Sequence, residues 1–140
     1  MIAVDTNVLA YLLIPGAFTA QAEEALRRDP DWAAPLLWRS EFRNVLVAYV
    51  RRKEMSVDQA GMLAATAESL MQGGEYTLPS ETILALTDSS GCSSYDCEFV
   101  ALAQTLEIPL ITSDQRILKA FPDRAVSLES YTSGLQRPDR

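Results

Sequence analysis

Apolar residues open the chain as a block, Ile2-Ala3-Val4, and give way to the polar run Asp5-Thr6-Asn7 before Val8-Leu9 resume. This pattern predicts a short buried strand, a polar turn and a helix that Thr6 caps and that ends near Pro15-Gly16. Residues 19–28 read as a second helix and residues 31–35 as a short strand. Over residues 36–53, Trp38, Phe42, Val45, Leu46 and Tyr49 fall at i, i+4, i+7, i+8 and i+11, which makes one apolar stripe on a helix. Ser56 with Gln59 three residues on is a capping box, so the next helix starts there, runs to about Met71 and stops at Gly73-Gly74. A strand is expected at residues 76–78, a helix from Ser80 to about Asp88, and a polar loop over residues 89–94. The stripe Phe99, Leu102, Ala103, Leu106 then predicts a helix from about Tyr95. A strand over residues 109–112, a helix over 115–120 and a strand near 125–128 follow, and residues 133–140 read as a frayed tail.

Strands separated by helices imply a parallel sheet covered on both faces, because a parallel connection needs a long crossover. In such a sheet the carboxyl ends of all strands share one edge, where ligands of open α/β sheets bind. Asp5 ends the first strand and Asp114 follows Ile111-Thr112-Ser113, so both fall on that edge although they lie far apart in sequence. Glu41 borders the apolar stripe of its helix, three residues after Trp38 and four before Val45. Asp96 stands beside Tyr95 in the first turn of another helix. Each acid alone has an ordinary reading: Asp96 and Asp114 as helix caps, Asp5 as a turn residue, Glu41 as a partner of Arg39, Arg43 or another neighbour. Together they point to a cation, since four caps have no reason to converge and crowded carboxylates repel unless a charge compensates.

Composition sharpens this picture. One domain is expected from 140 residues with 48% hydrophobic content. The chain has no histidine, which removes imidazole acid–base chemistry and makes a zinc site with Cys92 and Cys97 poor chemistry. Both cysteines are read as reduced thiols, Met1 runs directly into the first strand without a basic leader, and no apolar stretch approaches the ~20 residues that span a bilayer; a cytoplasmic protein is expected. The net charge of −7 argues against a surface that coats nucleic acid, yet four of the acids are the candidate site. Basic residues at Arg39 and Arg43, at Arg51-Arg52-Lys53, and at Arg116 and Lys119 are candidates for phosphate contacts, against the plainer reading of solvated helix faces.

The Val4-Asp5-Thr6-Asn7-Val8-Leu9 start, the Ser40-Glu41 helix, Tyr95-Asp96-Cys97 with Leu102-Ala103, and Thr112-Ser113-Asp114 resemble the PIN-domain ribonucleases, specifically the small VapC-type toxins. The resemblance spans roughly residues 1–130, with residues 1–132 as the domain. It implies a PIN-like α/β fold with a parallel sheet of about five strands flanked by helices on both faces. It also implies metal-binding acids at Asp5, Glu41, Asp96 and Asp114, and supporting polar groups at Asn7 and at Thr112 or Ser113. Glu98 matches no family role and stays outside this set. The implied activity is endonucleolytic hydrolysis of RNA with Mg²⁺ or Mn²⁺, by a homodimer restrained by a cognate antitoxin. Apolar residues at Leu12-Leu13-Ile14, Leu63, Leu70 and Met71 exceed what one core face needs, which agrees with an interface and equally with an ordinary core.

Other classes fit less well. Dehalogenase-type phosphatases need a second aspartate two residues after the first, and that position is Asn7. Phosphoacceptor receiver domains need a lysine after a late strand, and Lys53 and Lys119 are both misplaced. An inactive PIN-like scaffold that binds RNA or protein is the remaining alternative.

Overall fold

Five short strands, β1 (Ile2–Val4), β2 (Trp32–Pro35), β3 (Glu75–Tyr76), β4 (Leu110–Thr112) and β5 (Ala125–Ser127), pair in parallel in the order β3-β2-β1-β4-β5. The structure is a computed structural model and describes residues 1–134. Among the described residues eight helices accompany the sheet: α1 (Thr6–Leu13), α2 (Thr19–Arg28), α3 (Trp38–Arg51), α4 (Val57–Leu70), α5 (Ser80–Ser90), α6 (Ser94–Leu106), α7 (Gln115–Ala120) and α8 (Leu128–Gly134). The chain steps outward from β1 to β3 and then returns to β4 on the far side of β1. Right-handed crossovers therefore put α1 to α4 on one face and α5 and α6 on the other. Central strands covered on both faces must be apolar throughout, and Ala3, Val4, Leu110 and Ile111 are fully buried. The reversal of direction between β1 and β4 opens a crevice at their carboxyl ends, which is where Asp5 and Asp114 emerge.

Local signals account for most element boundaries. The Ser56–Gln59 capping box forms in full, with Gln59 N–H donating to Ser56 Oγ at 3.0 Å and Ser56 N–H to Gln59 Oε1 at 2.8 Å. Trp38, Phe42 and Leu46 carry the buried stripe of α3, while Val45 and Tyr49 at its edge are half-buried. Four expectations need correction. Asp5, not Thr6, caps α1, because its carboxylate occupies the N-cap position and accepts from Val8 N–H. α5 runs on through Ser90 and ends at Gly91, whose φ of 76° provides the left-handed cap that glycine adopts without strain, so the polar loop shrinks. β3 is confined to Glu75–Tyr76.

The fourth is α8, which the sequence pattern did not suggest. Leu128-Glu129-Ser130-Tyr131-Thr132-Ser133 is rich in hydroxyl residues of modest helix propensity, so packing must supply what propensity does not. Leu128 and Thr132 are buried, the helix packs on α2, β4 and β5, and Ser127 Oγ accepts from Ser130 N–H at its start. The part of the expected tail beyond Gly134 lies outside the described residues. Cys92 and Cys97 are buried free thiols, and among the described residues no helix is long and apolar enough to cross a membrane.

Gly74 is required by contact rather than by conformation. Its carbonyl accepts from Ala34 N–H at 2.9 Å as β3 joins β2, and a Cβ there would fall inside the Trp32 carbonyl. That obstacle is main chain and cannot rotate away. Gly74→Ala is expected to lower stability by about 1–3 kcal/mol, the range for overpacking. An unchanged urea midpoint would contradict this.

Candidate active site

Asp5 is tied down at both oxygens. Its Oδ1 accepts from Val8 N–H at 3.1 Å, and Oδ2 accepts a short hydrogen bond from the Thr112 hydroxyl. Thr112 Oγ1 in turn accepts from Asp114 N–H at 3.0 Å, so one fully buried hydroxyl couples the ends of β1 and β4. Asp114 caps α7, with Oδ1 accepting from Arg116 N–H at 2.8 Å and Ile117 N–H at 3.3 Å. Asp114 therefore takes the capping role that sequence allowed it, and Asp5, read as a turn residue, caps α1 as well. Asp96 is different: Ser93 caps α6 by accepting from Asp96 N–H at 3.1 Å, which leaves the Asp96 carboxylate without a capping task. The N-terminal ends of α1, α6 and α7 thus each carry one of the candidate aspartates.

Glu41 lies in the first turn of α3 and accepts from the Thr6 hydroxyl at 2.6 Å through Oε1. It takes neither arginine suggested by sequence. Arg39 instead binds Glu75 through two hydrogen bonds of 2.6 and 2.9 Å, and Arg43 is exposed. Among the other basic candidates, Arg52 pairs with Glu54 at 3.1 Å.

Asp5, Glu41, Asp96 and Asp114 all line one cleft of about 260 Å³, together with Thr6, Asn7 and Asn44 and with apolar walls from Val45, Phe99 and Ile117. Asn7 is among the lining residues, while Thr112 is linked to the cleft through Asp5. Ser113 lies outside this lining and its hydroxyl bonds the Tyr11 hydroxyl at 3.0 Å. Two contributors were missed. Asn44 follows Glu41 by three residues, so helical spacing already placed it one turn along the same face. Thr6 was assigned to the cap, and its bond to Glu41 crosses 35 residues that no local pattern spans.

Electrostatics mark the cleft as short of positive charge. Burial pushes the Asp5 carboxyl up to about 6, against the lowering effect of its bonds to Thr112 and Val8, with Asp114 adding repulsion. Burial also raises Glu41, countered by the Thr6 hydroxyl and reinforced by Asp96 and Glu98. Asp96 is raised by burial and then by Asp114, with Ser93 and Arg116 opposing. Glu98 is raised by burial and its charge reaches Glu41, although it does not line the cleft. Among the described residues no three acidic side chains form a ready-made ion cage. The donor set nevertheless suits a hard divalent cation: all-oxygen ligands, no cationic side chain in the cleft lining, and carboxylates whose mutual repulsion such an ion would remove.

A larger cavity of about 520 Å³ lies between α3 and α4. Its walls are apolar, with Arg43 and Arg51 among the lining residues and no acid or nucleophile, so it offers no hydrolytic chemistry.

Comparison with known proteins bears on the family and the fold. The PIN domain family model matches residues 2–122. Ribonuclease VapC3 of Pyrobaculum aerophilum is 28% identical over 124 residues, covering 86% of this chain and 95% of that protein. The crystal structure of PAE2754 from Pyrobaculum aerophilum superposes with a TM-score of 0.74 at 20% identity, over 96% of this chain and 95% of the other. FitAcB from Neisseria gonorrhoeae gives 0.71 at 17% identity, over 92% and 99%. A toxin–antitoxin complex from Klebsiella pneumoniae gives 0.62 at 23% identity, over 91% and 98%. The last three show a shared fold, and with the family match over most of its length the chain belongs to the PIN-domain family.

Proposed function

We propose that the chain is a divalent-metal-dependent endoribonuclease of the VapC type, acting as the toxin of a toxin–antitoxin pair in the cytoplasm. The observation that carries the reading is a cleft lined by four carboxylates in a chain without a single histidine. The relative named Ribonuclease VapC3 and the fold shared with toxin–antitoxin proteins support it.

Asp5, Asp96 and Asp114, with Glu41, are the residues that would hold Mg²⁺ or Mn²⁺. A bound ion supplies the charge that lowers the pKa of an attacking water and offsets charge building on the phosphate. Asp5 keeps a fixed orientation through Val8 and Thr112. Glu41 is steadied at Oε1 by Thr6, and its raised pKa suits it to take the proton of that water through its other oxygen. Asn7 and Asn44 present amides that donate to phosphate or ribose oxygens. The water oxygen bonds to phosphorus, the bond from phosphorus to the 3′ oxygen breaks, and that oxygen takes a proton, leaving a 5′-phosphate and a 3′-hydroxyl.

A cognate antitoxin and a second copy of the chain are the proposed protein partners. Met71 is fully buried and Leu12, Leu13, Ile14, Leu63 and Leu70 are half-buried against the core. Apolar surface remains exposed instead at Val47, Val57 and Met62 on α3 and α4. The alternative, an inactive module that binds RNA or protein, separates cleanly by experiment. Structured RNA should be cut by the purified chain, the cutting should stop in EDTA and return with excess Mn²⁺, and the new ends should carry 5′-phosphates. Cleavage indifferent to chelation would refute the metal-dependent reading, and absence of cleavage in Mn²⁺ would favour the inactive module.

A further inference from the structure

Beside the acidic cleft runs a second groove, of about 280 Å³, between α1, the α1–α2 loop and α3. Asn7 and Val45 line both, so the two are continuous. We infer that this groove is a nucleobase subsite, in which an unstacked base next to the scissile phosphate packs against Phe18. The inference rests on the ribonuclease reading above and extends it to how a strand is held.

Phe18 occupies the N-cap of α2, a position where Ser, Thr, Asp or Asn would serve the helix better, and it makes no side-chain cap bond. Its ring packs on Tyr11 with centroids 4.9 Å apart, yet the residue stays 49% exposed. The display is rigid. Thr19 Oγ1 accepts from Gly16 N–H at 2.9 Å and donates to the Tyr11 carbonyl at 2.7 Å, which pins the loop to the end of α1. The Tyr11 hydroxyl bonds Ser113, the neighbour of Asp114, so the aromatic pair is tied to the strand end that carries the acids. Tyr49 forms part of the far wall, with the Arg52 guanidinium 4.7 Å from its ring centroid.

The chemistry of the lining favours a base over a peptide. No carboxylate lines the groove, so a flat neutral group enters without repulsion while the charged phosphate remains at the cleft. A peptide would need main-chain donors and acceptors, and those of Tyr11 and Gly16 are already used by Thr19. Stacking of this kind requires a base already splayed from its helix, which points to loops and single strands.

The test uses full-length Asp96→Asn protein in Mg²⁺, to hold RNA uncut, and compares binding of a short oligoadenylate with the corresponding abasic ribose–phosphate chain by fluorescence anisotropy. The oligoadenylate should bind roughly 10- to 100-fold more tightly, the range for stacking one base on an aromatic ring. Phe18→Ala should erase that preference, and Phe18→Trp should keep it and show quenched emission on binding. Equal affinities for the two chains, or a preference that survives Phe18→Ala, would overturn the subsite and leave the groove to a protein partner. EDTA-sensitive cleavage by the unsubstituted protein is followed in parallel. Base discrimination without cleavage would support the groove and sink the nuclease reading; cleavage with equal affinities would do the reverse.

Discussion

Asp96→Asn is expected to slow RNA cleavage by about 10²–10³-fold, the cost of removing one preorganised charge-stabilising group, and to leave the fold intact. Both halves of that expectation follow from where the side chain sits. Ser93 caps α6 by accepting from the Asp96 main-chain N–H, so loss of the Asp96 carboxylate removes no cap. Burial, and after it the Asp114 charge, raises its pKa, so a neutral amide relieves both in the metal-free protein. Asparagine preserves shape and leaves one oxygen able to accept, but it carries no charge to hold a cation. A variant that cuts RNA within about twofold of the original rate would remove Asp96 from the chemistry, and a variant that fails to fold would show that the carboxylate serves structure after all.

Asp5→Asn should abolish cleavage and, in EDTA, make the protein more stable at neutral and alkaline pH. The sign comes from the proton balance. Burial holds the Asp5 carboxyl at about 6 in the folded chain, against an ordinary value of 3.8. The folded state therefore binds this proton more tightly than the unfolded state does. Its contribution to stability is unaffected below the ordinary value, declines as pH rises between the two, and above the folded value reaches a penalty of about 3 kcal/mol. Asparagine escapes that penalty. Its carbonyl can still accept from Val8 N–H, asparagine being a good N-cap, and its amide can donate to the Thr112 oxygen. Urea unfolding in EDTA should show the variant near the parent at about pH 4 and ahead of it by about 3 kcal/mol at about pH 8, by the same linkage. A gain that is equal at both pH values, or a loss at high pH, would mean that burial does not raise the folded carboxyl above its ordinary value. The trade is the one expected at a functional site, where ionised acids are kept at a cost to the fold.

The parts of the molecule that were legible in sequence are those decided locally. α2 and α7 begin and end where hydrophobic spacing put them, and the Ser56–Gln59 box fixes the start of α4. The edge shared by Asp5 and Asp114 followed from alternation alone, because parallel strands align their carboxyl ends. Glu41 and Asp96 were harder, since a helix phase gives a face and not a destination; the structure brings both to the cleft. What stayed hidden depends on tertiary contact. α8 is held by packing on α2 and β5, not by its own composition. Thr6 turned out to serve Glu41, and Arg39 to serve Glu75, because partners 35 and 36 residues away outcompeted nearer ones. Phe18 carries no sequence signal at all: only the loop fixed by Thr19 turns an unremarked aromatic into one wall of a groove beside the acids.

The acidity of the chain also acquires a local meaning. A protein of net charge −7 repels RNA at long range, and its cleft would repel a phosphate most of all. A divalent ion at the four carboxylates, as proposed, would offset much of that charge at the place where a phosphate must approach. Among the described residues the acids form no ready-made cage, and Asp5, Glu41 and Asp114 are engaged with Val8, Thr112, Thr6 and the start of α7.

Calorimetric titration with Mn²⁺ tests this account most directly, because it asks whether the carboxylates act as one site before any RNA is added. Saturable binding is predicted at about pH 7.5, weakening as pH falls through the Asp5 value of about 6 and lost when Asp5 and Asp96 are both replaced by asparagine. An original chain that takes up no Mn²⁺, or a double variant that binds it equally well, would contradict the account.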